Sequence, residues 1–231
     1  KNVCVEGCEY LYTRQIDGFE PLKRFVDTVS DSEATFVSSW NFYAWSYVRH
    51  ATDVDDVFQE VISLPEVDVH RIAEDISEKY DVSEFESDIR QLEQERERNI
   101  IKRVAFDYLP FDLWRLFYED SDNVFERIAA LSGGNLGVAR EIFESRLWEE
   151  KKKDDSTVLS YEDAFVLHIV LSKEAVTREV LKNAVEPRSL KKSLRRLSDS
   201  GFVELNEDNV SLRPERLVDT VSYLKRRRLV W

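Results

Sequence analysis

The chain has 231 residues, of which 42% are hydrophobic and 34% are charged, a composition typical of a soluble globular protein with one to three small domains. No apolar run approaches the roughly 18–20 residues that a transmembrane helix needs, so no membrane span is expected, and no segment resembles a signal peptide. The two cysteines, Cys4 and Cys8, have no Cys or His nearby that would complete a zinc site. We therefore expect free thiols in a cytoplasmic protein.

The net charge of −13 is unevenly distributed along the chain. Residues 156–231 carry 14 Lys and Arg against 11 Asp and Glu, a net of +3, and residues 1–155 carry 19 against 35, a net of −16. The overall acidity argues against a protein that coats nucleic acid. The asymmetry predicts two electrostatically different bodies in one chain.

The first part of the chain alternates strand-like and helix-like segments. Apolar spacing predicts a strand at VCVEGC, a helix at GFEPLKRFVDTVS, a strand at ATFVSSWN, helices at YAWSYVRHA and DVDDVFQEV, and a third strand at VISLP. Strand, helix and strand with short connections predict a piece of parallel α/β sheet over residues 1–66. Because the chain contains no Met and opens within an apolar run, we expect it to be part of a longer polypeptide.

Residues 67–150 have a helical pattern throughout. The segment VDVHRIAEDISEKY is amphipathic, whereas FESDIRQLEQERERNIIKR is so charged that a solvated helix or a partly disordered insertion is the favoured interpretation. Further on, Gly133 and Gly134 are expected to end one helix and Asn135 to cap the next. We predict an all-helical domain, which the charged linker EEKKKDDST follows.

Residues 156–231 have the element order of a winged helix. Three helices are predicted at SYEDAFVLHIVLS, TREVLKNAV and EPRSLKKSLRRLSDSG, two strands at FVELNE and NVSLRP joined by an Asp-Asn turn, and a closing helix at PERLVDTVSYLKRRRLVW. His168 lies in the apolar part of the first of these helices. That position favours a hydrogen-bonded core histidine over a metal ligand.

The order of these features resembles the C-terminal half of an AAA+ or STAND-type P-loop ATPase, and the resemblance covers the whole chain. It depends on a strand that ends in the acid Glu6, strands that end in WN and LP, a helical segment with GGNLGVAR, and the winged helix. The implied fold is mixed α/β and mostly helical, with a partial parallel P-loop sheet, a helical lid and a C-terminal winged helix. The implied ligands are ATP and Mg²⁺, with a Walker A loop preceding residue 1. ATP hydrolysis would belong to the complete chain only, and a homo-oligomer is a further implication.

The resemblance also implies roles for acidic residues at the end of the first strand. Glu6 matches the Walker B acid, which reaches Mg²⁺ through water. Most relatives follow that acid with a second carboxylate that polarises the attacking water. Gly7 occupies this position here, so Glu9 is the candidate for the second catalytic carboxylate.

Two further residues match the sensors of this family. Asn41, after the second strand, matches sensor 1, a catalytic and nucleotide-binding side chain that orients water near the terminal phosphate. Arg140, in GVAR, matches sensor 2, a phosphate-binding arginine of the lid. Each has a structural alternative, because Asn commonly ends a strand and a surface Arg can pair with Glu141 or Glu144.

The residue at the expected arginine-finger position is Val57. In ring-forming relatives an arginine there completes the active site of a neighbouring subunit. Its replacement by Val favours a STAND-like switch, in which the terminal phosphate of ATP controls the angle of the lid and the position of the winged helix.

A basic helix in the winged-helix region gives an alternative function, a DNA-binding transcriptional regulator with a degenerate ATPase part. In EPRSLKKSLRRLSDSG three leucines are expected to point inward, and basic residues occupy the remaining faces: Arg188, Lys191, Lys192, Arg195 and Arg196. Such a helix commonly enters the DNA major groove, where phosphate contacts supply most of the affinity. Winged helices in multidomain ATPases also often pack on the lid or bind protein, so a protein partner or the acidic front half of this chain is the alternative for the same basic face.

Overall fold

The computed structural model describes residues 1–98, 118, 121–149, 158–173 and 175–230. The described residues fall into two compact units. Unit 1 contains those of 1–63, 156–213 and 223–231, and unit 2 contains those of 64–155 and 214–222. The predicted helical domain at 67–150 lies within unit 2, whereas most of the predicted domains at 1–66 and 156–231 lies in unit 1, with 64–66 and 214–222 assigned to unit 2.

Unit 1 begins with two parallel strands. Strand β1 (Asn2–Val5) pairs with β2 (Thr35–Ser38), in a register that places Asn2 opposite Thr35 and Val5 opposite Ser38. Helix α1 (Glu20–Ser30) makes the connection between them, as a parallel pair requires. The predicted mixed α/β character of this part is confirmed.

The second helix of unit 1, α2 (Phe42–Ala51), covers an aromatic core. Its buried Ala44, Trp45 and Val48 pack with Tyr12 and Leu22. These residues are spaced as the sequence pattern required, with apolar positions recurring at helical intervals.

The predicted third strand at VISLP is wrong. Residues 61–65 have no regular secondary structure, and Val61, Ile62 and Leu64 are exposed at 47%, 76% and 90%. The predicted helix just before it is only a 3₁₀ turn, Val54–Val57. A short apolar run becomes a strand only when a neighbouring strand satisfies its backbone groups, and none of the described residues does so here.

The remainder of unit 1 combines helices with a small antiparallel sheet. Its helices are α7 (Tyr161–Lys173), α8 (Arg178–Ala184) and α9 (Pro187–Asp199). The strands β3 (Ala175–Thr177), β4 (Val203–Leu205) and β5 (Asn209–Leu212) form a sheet in the order β3-β5-β4.

Two details of this sheet differ from expectation. Strand β3 was not predicted, because three residues before a helix carry too little period-2 signal. The hairpin turn is formed by Glu207 and Asp208, and Asn206 and Asn209 close it with a reciprocal pair of backbone hydrogen bonds of 3.0 and 2.9 Å. A closing helix, α10 (Leu217–Arg226), follows β5.

Unit 2 is helical in its described part. It contains α3 (Val69–Lys79), α4 (Glu86–Arg98), α5 (Val124–Ser132) and α6 (Leu136–Glu144). Gly133 has a left-handed backbone and ends α5, and the Asn135 side chain caps α6 by accepting from Val138 N at 3.1 Å. Both predicted helix boundaries are confirmed.

Gly134 has a specific packing role in unit 2. Its φ is +72°, and a Cβ atom there would lie 2.9 Å from both Glu66 Cβ and the Val67 carbonyl oxygen. Its own carbonyl accepts from Val67 N at 3.0 Å. Only glycine allows the chain before α3 to approach this closely.

One face of helix α4 is buried, although the segment is strongly charged. Phe85, just before the helix, and Leu92 within it are buried at 7% and 3% exposure and belong to the core of unit 2, against which Ile89 packs. The other residues of 86–94 are exposed or half-buried, as expected of a charged helix with a narrow apolar stripe, and residues 99–103 of the predicted segment lie outside the described residues. Within the described ranges, no helix of either unit is long and apolar enough to cross a membrane.

Candidate functional site

The segments that follow β1 and β2 are interlocked at one edge of the parallel pair. Ser39 N, just after β2, donates to Val5 O at 2.9 Å, and Ser39 O in turn accepts from Cys8 N at 3.1 Å. Between these contacts lie Glu6, which is exposed, and Gly7, whose left-handed φ of +69° turns the chain. The carboxyl ends of parallel strands are where α/β proteins bind ligands, which makes this edge the candidate site.

The Asn41 side chain makes hydrogen bonds to two helices at this edge. Its Oδ1 caps α2 by accepting from Tyr43 N at 2.9 Å and from Ala44 N at 3.2 Å. Its Nδ2 donates to Leu171 O at 3.1 Å, near the end of α7. The structural alternative for Asn41 is thus realised as a helix cap, and its role as sensor 1 remains a prediction.

The Glu9 side chain accepts a hydrogen bond from the backbone of Asn41. It is 9% exposed, and its Oε2 accepts from Asn41 N at 3.2 Å. Its carbonyl oxygen accepts from Lys173 Nζ at 2.6 Å. The bond from Asn41 N occupies one of the two carboxylate oxygens and positions the loop, and the catalytic role of Glu9 remains a prediction.

Lys173 is a buried cation that sequence reasoning missed. It is 3% exposed, and its Nζ donates to the carbonyl oxygens of Glu9 and, at 2.9 Å, of Tyr12. Burial lowers its pKa to about 8, although the nearby Glu9 charge opposes the shift. A lysine that ends an apolar helix usually reads as a surface cation facing the helix dipole, so the sequence offered no signal for burial.

Arg14 and His168 form a second polar contact within unit 1, and Arg14 was also missed. Arg14 Nη1 lies 2.8 Å from His168 Nδ1, and Nη2 lies 3.0 Å from His168 Nε2. The guanidinium also covers the Tyr47 ring, with Cζ 3.9 Å from the centroid. Burial and the Arg14 charge lower the pKa of His168 to about 3, so the imidazole is neutral at physiological pH. The prediction of a hydrogen-bonded core His168 is confirmed.

Arg140 lies in unit 2 and is held by an acid from α3. Its Nε donates to Asp75 Oδ2 at 2.6 Å and its Nη2 to Asp75 Oδ1 at 2.7 Å, while Lys79 Nζ donates to the same Oδ1 at 2.8 Å. These donors hold the pKa of Asp75 well below its usual range. The partner of Arg140 is therefore Asp75, which neither the sensor 2 prediction nor its alternative anticipated.

The ATP and Mg²⁺ that the resemblance implies would need ligands at this edge of the parallel pair. The described ranges contain no group of three or more His, Cys, Asp and Glu side chains that could hold a metal by themselves. The exposed Glu6 carboxylate fits a Mg²⁺ ion held mainly by phosphates and water, which is the usual manner of binding this ion. Asn41 Nδ2 carries two hydrogens, of which Leu171 takes one. The Glu6 carboxylate and the second amide hydrogen of Asn41 are therefore compatible with a bound ATP and Mg²⁺.

The basic helix α9 has one exposed cationic face. Four predicted nucleic-acid contacts are exposed at helical spacing on this face: Arg188, Lys191, Lys192 and Arg195. The fifth, Arg196, donates to the fully buried Asp163 carboxylate and so stabilises the contact between α9 and α7. The hairpin between β4 and β5 is acidic at its tip, with Glu207 and Asp208 exposed.

Comparison with known proteins finds no family model that matches this chain, and no curated protein or solved structure with significant similarity to it.

Proposed function

We propose that this chain is the C-terminal part of an ATP-dependent switch of the AAA+/STAND type, in which a nucleotide site at the β1–β2 edge is coupled to a winged helix. The contact from Asn41 Nδ2 to Leu171 O carries the proposal. It joins the residue that matches sensor 1 directly to the first helix of the C-terminal module, defined here as residues 158–213.

The coupling has a simple physical basis. Asn41 fixes the start of α2 with its carbonyl oxygen and fixes α7 with its amide, so a ligand that moved this side chain would alter both contacts. A switch requires its ligands to favour one arrangement over the other. ATP would supply phosphate charge at this edge, Glu6 would hold the metal side, and the second Asn41 hydrogen would remain for an oxyanion. The order helix, strand, two helices and hairpin in the module supports the assignment of a winged helix.

The experiment uses a longer polypeptide, in which this chain is joined to its upstream coding sequence. That sequence must supply a Walker A loop, because none lies within these 231 residues. MgATP binding is measured by calorimetry, and hydrogen exchange in α7 is followed with and without the nucleotide. We expect ATP binding to change the protection of α7. An upstream sequence without a Walker A loop, or no ATP binding, would overturn the proposal.

The variant Asn41→Asp separates coupling from capping. Asp retains the cap oxygens but lacks the amide hydrogens that bond Leu171 O. Because Asp also lacks the hydrogen proposed to contact an oxyanion of ATP, we expect weaker ATP binding and, at saturating nucleotide, no change in the protection of α7. Asn206→Asp, on the exposed hairpin, makes the same chemical change away from the site and should preserve the response.

A second candidate function, duplex DNA binding by the module, is favoured by the cationic face of α9. If its four exposed cations contact phosphates, the logarithm of the binding constant should fall against log salt with a slope of about −3 to −4. The double variant Lys192→Glu and Arg195→Glu should abolish binding, whereas Lys23→Glu with Arg24→Glu, which makes the same charge change on α1, should retain it. A flat salt dependence would exclude this function.

A further inference from the structure

Unit 1 contains an open groove of about 860 Å³ that none of the predicted site residues lines. Its wall comes from the loop after Tyr12, from α2, α7 and α8, and from the segment after α10. The residues relevant to its chemistry are Arg14, Phe19, Tyr47, Phe165, His168 and Arg228. Two arginines and several aromatic rings in one concavity suggest a ligand with both a charge and an apolar part.

The first arginine lacks an acidic partner among the described residues. No ion pair joins Arg14 to a carboxylate there, and the groups around its guanidinium are all uncharged: Tyr12, Tyr47, Phe165, His168 and Ser172. A guanidinium can only donate, and a neutral imidazole has a single acceptor nitrogen. In either tautomer of His168 one ring nitrogen carries a hydrogen. One of the two contacts with Arg14 therefore brings an N–H of the imidazole against an N–H of the guanidinium. This part of the groove has an excess of donors and of positive charge.

The second arginine occupies a position where glycine is normally favoured. Arg228 has a left-handed φ of 58° and follows the end of α10, where Leu229 N donates to Leu224 O at 3.0 Å and Arg228 N donates to Lys225 O at 2.9 Å. This is the hydrogen-bond pattern of a helix end in which Gly is usual at the left-handed position. Its side chain is exposed and lacks an ion pair with any described carboxylate. A strained arginine at the lip of a groove is a reason to look for a ligand.

The apolar part of the groove is formed by aromatic residues. Phe19 and Tyr47 stack with centroids 6.2 Å apart, and both stack on the buried Tyr12. Phe165 lies on the α7 side, with its ring centroid 5.9 Å from Arg14 Cζ. Ile16, at 92% exposure, is a large apolar side chain at the rim.

We propose that this groove binds a small molecule in which an oxyanion, carboxylate or phosphate, is attached to a flat apolar ring, with Arg14 and Arg228 contacting the oxyanion and the aromatic wall contacting the ring. Guanidinium groups bind both oxyanions well because their donors form a planar fork. The proposal is independent of the nucleotide site at the β1–β2 edge.

The test is calorimetric titration of the chain with matched probes. The charged probes are 2-naphthoate and 2-naphthyl phosphate, which distinguish the two oxyanions. The neutral analogue 2-naphthylmethanol has the same ring without the charge, and acetate has the charge without the ring. We expect at least one charged naphthyl probe to bind ten-fold or more tightly than 2-naphthylmethanol and acetate. No binding of either charged probe, or equal binding of the neutral analogue, would overturn the proposal.

Variants then locate the bound probe. Arg14→Gln and Arg228→Gly should each weaken binding about ten-fold or more, which is the effect of losing one charge-assisted contact. Arg24→Gln, at an exposed arginine of α1, is the matched control and should leave binding unchanged. Arg228→Gly also guards against misfolding, since glycine suits the left-handed position and should leave the melting temperature equal or higher. Unchanged binding in both groove variants would show that the probe lies elsewhere and contradict the proposal.

Discussion

Both units of this protein have an apolar core, but the polar side-chain contacts of unit 1 join segments that are farther apart in sequence. Unit 2 has a continuous apolar core in which Phe125 and Ile128 of α5 and Ile142 of α6 are fully buried. In unit 1, buried polar groups join segments that are far apart in sequence. Asn41 bonds to a carbonyl 130 residues away, and Lys173 to one 164 residues away.

The comparison shows which contacts a sequence pattern can anticipate. Apolar burial in unit 2 follows helical periodicity, since every third or fourth residue must face the core. The polar contacts of unit 1 depend on one donor meeting one distant acceptor, and periodicity has no bearing on that. Such contacts are strongly directional, so they can also couple a ligand site to a neighbouring segment.

The largest expected effect is in the apolar core of unit 2. Phe125→Ala removes a fully buried ring and should lower the free energy of unfolding of unit 2 by about 3–5 kcal/mol. Chemical denaturation followed by hydrogen exchange in peptides of α5 measures it. Leu64→Ala, at a side chain 90% exposed, should change it by less than about 0.5 kcal/mol. A loss below about 1 kcal/mol for Phe125→Ala would contradict the account of this core.

The second prediction concerns the pH dependence of unit 1. The pKa of His168 is lowered from 6.5 to about 3 in the folded chain, so between these values the unfolded state binds more protons. Stability should therefore fall as the pH drops below 6.5, by about 1.4 kcal/mol per pH unit from this group. His168→Gln cannot titrate and should show a shallower loss between pH 6.5 and 5 when denaturant unfolding is measured in unit 1.

Unit 2 provides the control for this measurement. Exchange in peptides of α5, in unit 2, should have the same pH dependence in the wild type and in His168→Gln. If the two proteins lost stability in unit 1 equally over this range, the histidine would not be the neutral buried group described above.

The smallest expected effect is a gain in stability. Replacing Arg228 by Gly relieves a left-handed backbone that costs a non-glycine residue about 1 kcal/mol, which corresponds to a rise of roughly 2–4 °C in Tm. Differential scanning calorimetry measures the shift. Arg227→Gly, one residue earlier and without a positive φ, should lower Tm instead. A lower Tm for Arg228→Gly would mean that the arginine makes stabilising contacts that outweigh the backbone strain.

Much of the fold could be predicted from the sequence, and much less of the candidate site. The helix end at Gly133 and the cap at Asn135 were anticipated because each depends on residues close together in the chain. The parallel pair β1–β2 was anticipated from the order strand, helix, strand with short connections. The third strand failed because apolar content cannot show whether a neighbouring strand is available. Glu9 and Asn41 were identified and do meet, but Arg14 and Lys173 were not, because a charged residue beside apolar ones has no distinctive pattern.

The sequence by itself determined most of the helices of this protein, four of its five strands and the charge difference between its two ends, since propensity, capping and periodicity act within a few residues. Only the tertiary structure decided that the first and last segments share one unit, that Asn41 bonds α7, and that Arg14 and Arg228 line one groove. These depend on side chains more than a hundred residues apart meeting at hydrogen-bond distance or around a common cavity, and that is decided by how the elements pack.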